Sequence, residues 1–330
     1  MVIIFTSVFL VAVEPALGWS NGGYSANPAQ PDYGTHDWIA EHALDFLSAQ
    51  EKQYIIDNLS VYLYGTELPD NNQASDGIGD TTKHHVYFSG TGALADDASA
   101  QRAQSEYTKA LNYLEAKDFV NAAKTVGTMT HYIADMAVFG HVMGANTAWG
   151  AEIHHSDYEN YVNTRTNAYS DTFNSYLSFD GNLTTISADE AALDLAYDTT
   201  FGGTEQRSCM WMDENYDWNN AVFNDRAGQS LNLAVNTIAD VLHSLYQEAE
   251  PTQTVTPTIN PTTNPTSKIT VAPTLIDSLT TPTSTPQSSS NPSVPELSTI
   301  MTLTVMFAVL GLTFVYKCSP KAKLKLVKID

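Results

Sequence analysis

The strongest constraint on the fold of this 330-residue chain is a run of histidines and carboxylates near its middle. The run has the spacing His-x3-Asp-x5-His-x13-His-x3-Glu and consists of His131, Asp135, His141, His155 and Glu159. Residues four apart on an α-helix lie on the same face, one turn from each other. The first two and the last two members of the run are each four apart. The spacing therefore predicts two helices, each presenting a histidine and a carboxylate from one face.

These residue types point to a metal. Imidazole nitrogen and carboxylate oxygen are both good zinc ligands, and helices fix the separation between them. One such pair on a helix is more often a surface salt bridge than a metal site. Two pairs with a further histidine between them, all within 29 residues, favour a cluster of several zinc ions. Six of the nine histidines of the chain fall in residues 84–155.

Helical periodicity also covers much of the surrounding sequence. Apolar residues recur at helical spacing after Thr35, and residues 97–116 are rich in helix-forming residues without proline. Asp118 is predicted to be the N-cap of a helix over residues 119–141, and an apolar stripe predicts another helix over 229–248. Because strand-like alternation is scarce, the predicted fold class is all-α. Long loops are predicted at residues 64–96, 142–152 and 199–220.

Both ends of the chain resemble targeting segments. Residues 2–12 form an apolar run that is too short to span a bilayer, and small residues follow at the pattern of a signal-peptidase site. We predict a signal peptide over residues 1–18, whose removal leaves Trp19 at the N-terminus. Residues 297–316 have the length and apolarity of a transmembrane helix or sorting signal. The lysines of residues 317–330 place that tail in the cytoplasm.

Residues 251–296 are rich in Thr, Pro and Ser and have few large apolar side chains. Such a composition cannot bury enough surface to fold, so this segment is predicted to be an extended, disordered linker. The predicted organisation is one domain over residues 19–250, exported and anchored at the cell surface by its C-terminal segment. The two cysteines, Cys209 and Cys318, should lie on opposite sides of a membrane, so no disulfide between them is predicted.

The predicted domain is strongly acidic. Residues 19–250 contain 33 of the 37 Asp and Glu residues but 9 of the 15 Lys and Arg residues, which gives a formal charge of −24. Such a surface repels polyanions, so sequence-independent binding to nucleic acid is disfavoured. Bound zinc ions would reverse the sign of the potential locally, inside a cleft.

Upstream residues complete a pattern that identifies a family. They are the predicted N-terminal Trp19, the sequence THDWI at Thr35–Ile39, Asp70, and the pair His84-His85 followed by Val86. Together with the run at 131–159, they resemble the bacterial zinc-dependent phospholipase C family, which is related to the S1/P1 single-strand nucleases. The resemblance covers most of residues 19–165. It implies an all-α domain that holds three zinc ions and hydrolyses a phospholipid at a membrane surface.

The resemblance also implies a role for each residue. One zinc would be held by His85, His131 and Asp135, and a second by His141, His155 and Glu159. The third would be held by the amino and carbonyl groups of Trp19 with His36, and Asp135 would bridge it to the first. Asp70 would act on the attacking water. His84 is an alternative to His85, which we prefer because the segment after it aligns better. His154 is an alternative to His155, but only His155 has a glutamate four residues later.

Three functions compete. The S1/P1 nucleases place their first histidine soon after the N-terminal tryptophan and use aspartate as the last ligand after a longer gap. Here Trp19 and His36 are well separated, and the last ligand is Glu159 after a short gap, so spacing and charge both favour the phospholipase. A non-catalytic metal-binding surface protein is the third possibility. Asp70 argues against it, because a structural metal site has no use for a carboxylate that activates water.

Overall fold

The computed structural model describes residues 25, 27–167 and 172–250. Nine α-helices account for most of these described residues. In chain order they are α1 (Thr35–Ala43), α2 (Ala49–Ile56), α3 (Leu59–Glu67), α4 (Ala98–Glu115), α5 (Phe119–Ala134), α6 (His155–Asn163), α7 (Ala188–Phe201), α8 (Cys209–Glu214) and α9 (Ala221–Ala249). All of the described residues belong to one compact unit. The predicted helical fold class is confirmed.

Polar side chains define where several of these helices begin. Ser48 accepts a hydrogen bond from the backbone of Glu51, and the Glu51 carboxylate accepts one from the backbone of Ser48, which forms a capping box at α2. Asp118 accepts a hydrogen bond from the backbone of Asn121 at the start of α5, so the predicted N-cap is confirmed. Ser187 caps α7 in the same way.

Helix α5 lies at the centre of the fold and packs against both α3 and α4. Glycines let α3 and α5 approach closely: a Cβ atom on Gly65 would lie 2.2 Å from the carbonyl oxygen of Lys124, so only glycine fits there. Gly127 on α5 makes the reciprocal close approach to α3. One turn beyond Gly127, this contact brings His131 against the carbonyl oxygen of Thr66, and it therefore sets the position of the first metal-type residue of α5.

The end of α5 differs from the prediction. The helix predicted to reach residue 141 ends at Ala134, and two 3-10 turns follow at Asp135–Ala137 and Phe139–Val142. Val138 between them has an extended backbone, with φ −94° and ψ 124°, which breaks the helix. The chain reverses here, so that His141 returns toward Asp135 and does not continue along the helix axis.

Two of the three predicted loops contain regular structure. Residues 64–96 include the last turn of α3 and a hairpin in which β1 (Tyr87–Phe88) pairs antiparallel with β2 (Leu94–Asp96). Residues 199–220 include the end of α7 and all of α8. These elements are short, so their hydrophobic period is too brief to stand out in the sequence. Helix α9 also starts earlier than predicted, because Asn220 caps its first turn.

Within the described ranges, no helix has both the length and the apolarity needed to cross a membrane. The predicted signal peptide (1–18), Trp19, the linker (251–296), the span (297–316) and the tail (317–330) lie outside these ranges. Cys209 is buried in α8, and Cys318 lies in the tail.

Candidate metal centre

Five buried side chains from separate parts of the fold meet at the C-terminal end of α5. We call them the first cluster: His36 from α1, Asp70 after α3, His84 before β1, His131 from the last turn of α5, and Asp135 directly after α5. None is more than 4% exposed. The Asp135 carboxylate is their centre, with Oδ1 3.3 Å from His36 Nε2 and Oδ2 2.9 Å from His84 Nδ1 and 3.3 Å from His131 Nε2.

A second cluster adjoins the first and consists of His141, His155 and Glu159. Glu159 Oε1 lies 2.8 Å from His155 Nε2 and 3.4 Å from His141 Nε2. Asp135 Oδ1 lies 3.7 Å from His141 Nε2, so one carboxylate touches both clusters. Three sets of residues each bring their possible ligand atoms within 4.8 Å of one another. Two sets lie in the first cluster: His36 with His131 and Asp135, and Asp70 with His84 and His131. The third set is the whole second cluster.

The structure places His84, and not His85, in the first cluster. The His85 side chain is 22% exposed, lies 3.3 Å from Asp96 on β2, and stacks on the Tyr87 ring at 4.4 Å. The choice of His85 as a metal ligand is therefore corrected to His84. Burial alternates from this point into β1: His84, Val86 and Phe88 are buried, while His85 and Tyr87 are partly exposed, so only one of the pair faces the interior.

The other alternative, His154, points away from the second cluster. Its Nδ1 lies 3.1 Å from Asp213 Oδ1, while His155 faces Glu159. The structure thus brings His36, Asp70, His131, Asp135, His141, His155 and Glu159 together around one site. Trp19 lies outside the described residues.

The residues of both clusters fit bound metal ions. Burying a polar atom without a hydrogen-bond partner costs about 1–3 kcal/mol, so such atoms are rare unless something else satisfies them. Across the described part of the chain, orphaned buried side-chain atoms concentrate here. Those that lie in the clusters are the two ring nitrogens of His36, Asp70 Oδ1, the two carboxylate oxygens of Asp135, His141 Nε2 and His155 Nδ1. Zinc ions would satisfy a donor set of this composition.

Neighbouring groups orient two of the imidazoles. His131 Nδ1 lies 2.6 Å from the carbonyl oxygen of Thr66, which holds the proton on Nδ1 and leaves Nε2 free to face the cluster. His84 is turned the other way: its Nε2 lies 3.4 Å from Asp80 Oδ1, and its Nδ1 faces the cluster. Arg102 holds Asp80 in place with an Nε to Oδ2 distance of 2.8 Å. Such carboxylate or carbonyl partners are typical of metal-binding histidines.

Burial and charge put three members of the first cluster, His36, His131 and Asp135, in the forms that bind metal. Burial lowers the pKa of His36 and His131, whose rings stack at 3.8 Å, so both imidazoles are neutral at pH 7. Burial opposes ionisation of Asp135, but its interactions with the His131 and His141 imidazoles outweigh burial and hold the pKa of this carboxyl well below its ordinary value. Neutral imidazole and ionised carboxylate are the forms that bind zinc.

Each cluster also contains a histidine whose proton metal must displace. In the first cluster, burial lowers the pKa of His84, but Asp135 and Asp80 outweigh burial and raise the pKa to about 10. The second cluster shows the same effect. Burial lowers the pKa of His155, but Glu159 and Glu152 outweigh it and raise the pKa to about 10. In the metal-free protein His155 is therefore protonated at neutral pH. Because zinc binds only the neutral imidazole, binding at this cluster would release a proton.

Asp80 is a site residue that the sequence interpretation missed. A signal for it exists: Asp80 and His84 are four apart, the same separation that picked out His131 with Asp135. Here the pair lies on a turn and not on a helix.

Comparison with known proteins finds a matching family model and similar solved structures. The family model for zinc-dependent phospholipase C matches residues 35–203, just over half of the chain. Among solved structures, the chain is similar to the alpha toxin from Clostridium absonum, with 15% identity and a TM-score of 0.49 over 71% of this chain. It is also similar to the Clostridium perfringens alpha-toxin isolated from avian strain SWCP, with 16% identity and a TM-score of 0.38 over 69% of this chain.

The chain spans 66% of the length of each of these toxins. No curated protein matches the sequence. The family match includes every member of both clusters, and it confirms the resemblance seen in the sequence. The chain belongs to the zinc-dependent phospholipase C family, a family of hydrolases.

Proposed function

We propose that this protein is a zinc-dependent phosphodiesterase of the phospholipase C type, which hydrolyses a phospholipid to diacylglycerol, or its analogue, and a phosphorylated head group. The observation that carries the proposal is the pair of adjoining buried clusters, joined by Asp135, with a further carboxylate, Asp70, beside them. The family match supports the same chemistry.

The proposed site holds three zinc ions. His84, His131 and Asp135 would hold one, and His141, His155 and Glu159 would hold a second. His36 would hold the third together with the free amino group and carbonyl of Trp19. When bound, the ions supply hydroxide from water at neutral pH and positive charge against the phosphate.

Asp70 is the residue that we assign to the proton of the attacking water. Its Oδ1 lies 3.5 Å from His84 Nδ1, and its Oδ2 lies 3.9 Å from His131 Nε2. Burial raises the pKa of this carboxyl above its ordinary value, although interactions with the neighbouring His131 and His84 oppose the shift. A carboxyl with a raised pKa is better matched to accepting a proton near neutral pH.

The variant Asp70→Asn tests this assignment. We expect it to retain the zinc content of the wild type and to lose about 10²- to 10⁴-fold in kcat, the usual contribution of general acid–base catalysis. Zinc content by metal analysis and turnover of phospholipid vesicles are the two measurements. Loss of zinc would instead make Asp70 a ligand with His84 and His131, and full activity would remove it from the mechanism.

A substrate panel tests the function itself. Vesicles of several phospholipid classes and single-stranded DNA would each be incubated with the zinc-loaded protein. Release of phosphorylated head group from at least one lipid is expected, with little cleavage of DNA, because the −24 charge of residues 19–250 repels polyanions. Cleavage of DNA alone would replace the proposal with a nuclease, and cleavage of neither would contradict a phosphodiesterase.

We further propose that cleavage before Trp19 completes the site, and that residues 297–316 anchor the domain outside the cell. Both rest on the sequence. A chain beginning at Trp19 should bind the third zinc and be active. A chain with one extra residue before Trp19 should fold but lack that zinc, because an amide nitrogen does not bind metal as a free amine does. Equal zinc content and turnover in the two would contradict the role given to Trp19.

A further inference from the structure

Asp213, on the short helix α8, holds the segment that leads into the second cluster. Its carboxylate accepts hydrogen bonds from the backbone of Ile153, at 3.0 and 3.1 Å, and from the backbone of His154, at 2.9 Å. The Asp213 side chain is only 7% exposed. A buried carboxylate therefore binds the two backbone amide groups directly before His155.

This contact supplies one of the partners that the start of α6 needs, at the backbone amide of its N-cap. His154 is the N-cap of α6, and its side chain makes no capping hydrogen bond. The first amide groups of a helix need partners, and a carboxylate near them also interacts favourably with the helix dipole. Asp213 provides the carboxylate from another element. Because His155 is the first residue of α6, fixing the helix start also fixes the place of its imidazole.

Aromatic contacts from the same region brace α6 further along. The Tyr216 ring stacks on His154 at 4.5 Å with an angle of 4° between the planes. Trp218 stacks on Tyr161 at 3.8 Å and 8°. These residues, like Asp213, lie beyond residue 203, where the family match ends. The ligands His155 and Glu159 lie inside the matched region, but their support comes from outside it.

On its other side, the His155 ring packs against the backbone of Gly140 and has little room to move. A Cβ atom on Gly140 would lie 2.3 Å from the His155 ring, so the imidazole packs directly on the backbone there. With its ring against Gly140, His155 reaches Glu159 at 2.8 Å from the first position of α6, so the start of this helix sets the distance between the ligand atoms. A small shift at residues 153–154 would separate the three ligand atoms.

We propose that Asp213 is a positioning residue of the second cluster, which sets the zinc affinity of His141, His155 and Glu159 without touching the metal. The inference rests on the proposed function, since it requires zinc at this cluster. Carboxylates that hydrogen-bond directly to ligating histidines contribute about 10- to 100-fold in metal affinity, and this range sets the scale for Asp213, which acts through the backbone before His155.

The experiment compares Asp213→Ala and Asp213→Asn with Asp240→Ala. Asp240 is a matched control: its carboxylate also accepts a backbone hydrogen bond, from Thr184 at 2.8 Å, but Thr184 leads to neither cluster. Zinc content would be measured after dialysis against a weak chelator, zinc affinity by titration, and folding by thermal melting with excess zinc.

We expect Asp213→Ala to lose one zinc on dialysis and to bind it about 10- to 100-fold more weakly, while the other zinc ions stay bound. Asp213→Asn keeps one acceptor oxygen, so its zinc affinity should lie between those of Asp213→Ala and the wild type. Asp240→Ala should bind zinc like the wild type, and excess zinc should restore the activity of Asp213→Ala.

Three results would overturn the inference while the wild type still binds zinc. The first is equal zinc affinity in Asp213→Ala and Asp240→Ala. The second is the loss of all zinc ions together from Asp213→Ala. The third is a lowered melting temperature of Asp213→Ala that excess zinc does not raise to the wild-type value. If the wild type itself binds no zinc, the proposed function fails first. The two failures are therefore distinguishable.

Discussion

The two clusters are built in contrasting ways. The first draws its members from residues 36 to 135. The central helix α5, which packs against α3 and α4, carries His131 and leads directly into Asp135. The second takes all three members from the 19 residues between His141 and Glu159. Those members lie on a 3-10 turn and on the start of the nine-residue helix α6.

The contrast shows that local spacing and global support need not go together. The first cluster is scattered in sequence, yet the core of the fold fixes it. The second is compact in sequence, yet a carboxylate and two aromatic rings from residues 213–218 brace it. We therefore expect substitutions in the core to affect the first cluster, and changes in the segment after α7 to affect the second alone.

The largest effect should follow from removing the contact between the clusters. Asp135→Asn takes one negative charge from a group that touches His36, His84, His131 and His141. We expect zinc to be lost from both clusters and activity to fall by more than about 100-fold, since this residue is a direct ligand in the proposal. Metal analysis and vesicle turnover measure the two effects.

Glu159→Gln is the matched control, because Glu159 touches only the second cluster. It should lose one zinc and retain the others. If the two variants lose the same number of zinc ions, the clusters are one cooperative unit and the comparison above does not hold.

The next effect separates two neighbouring histidines. His84→Ala should lose a zinc ion and most activity, because His84 Nδ1 lies 2.9 Å from Asp135 Oδ2. His85→Ala should leave zinc content unchanged, because His85 is paired with Asp96 on the hairpin. Metal analysis of the two variants side by side is the measurement. The opposite pattern would restore His85 as the ligand.

This pair also shows where the sequence was sufficient and where it was not. The spacing at 131–159 identified five residues that the structure brings together, because helices and short turns translate sequence separation directly into distance. The choice between His84 and His85 was beyond the sequence. It depends on how the chain enters β1, a two-residue strand whose direction is set by pairing with β2.

The same reasoning applies to the fold. Long helices such as α4 and α9 carry enough turns for their apolar period to be recognised. The break after Ala134 was not predicted, because the apolar residues 136–139 continue the helical pattern and Gly140 comes only after the break. The role of Asp213 was equally hidden, since it acts on backbone groups about 60 residues away.

The smallest effect concerns the support of the first cluster. Glu67, three residues before Asp70, is fully buried and accepts hydrogen bonds from the backbone of Ser25 at 2.6 Å and of Asp32 at 3.2 Å. Burial raises its pKa from the ordinary 4.5 to about 7, although these hydrogen bonds oppose the shift. Between these two values, the folded state binds a proton that the unfolded state does not, so stability from this group rises as pH falls.

We therefore expect the melting temperature of the wild type to rise relative to that of Glu67→Gln as pH falls from about 7.5 to about 5, since glutamine does not titrate. Excess zinc in both samples keeps metal loss from dominating. A difference between the two proteins that does not change with pH would show that Glu67 ionises normally in the fold.

The most direct test of the central claim is a crystal structure of the zinc-loaded protein, with anomalous scattering measured on both sides of the zinc absorption edge. We predict separate zinc peaks at the two clusters, one bound by His84, His131 and Asp135 and one by His141, His155 and Glu159, with a third beside His36. Peaks absent from either cluster, or a single zinc held by His85, would contradict the account.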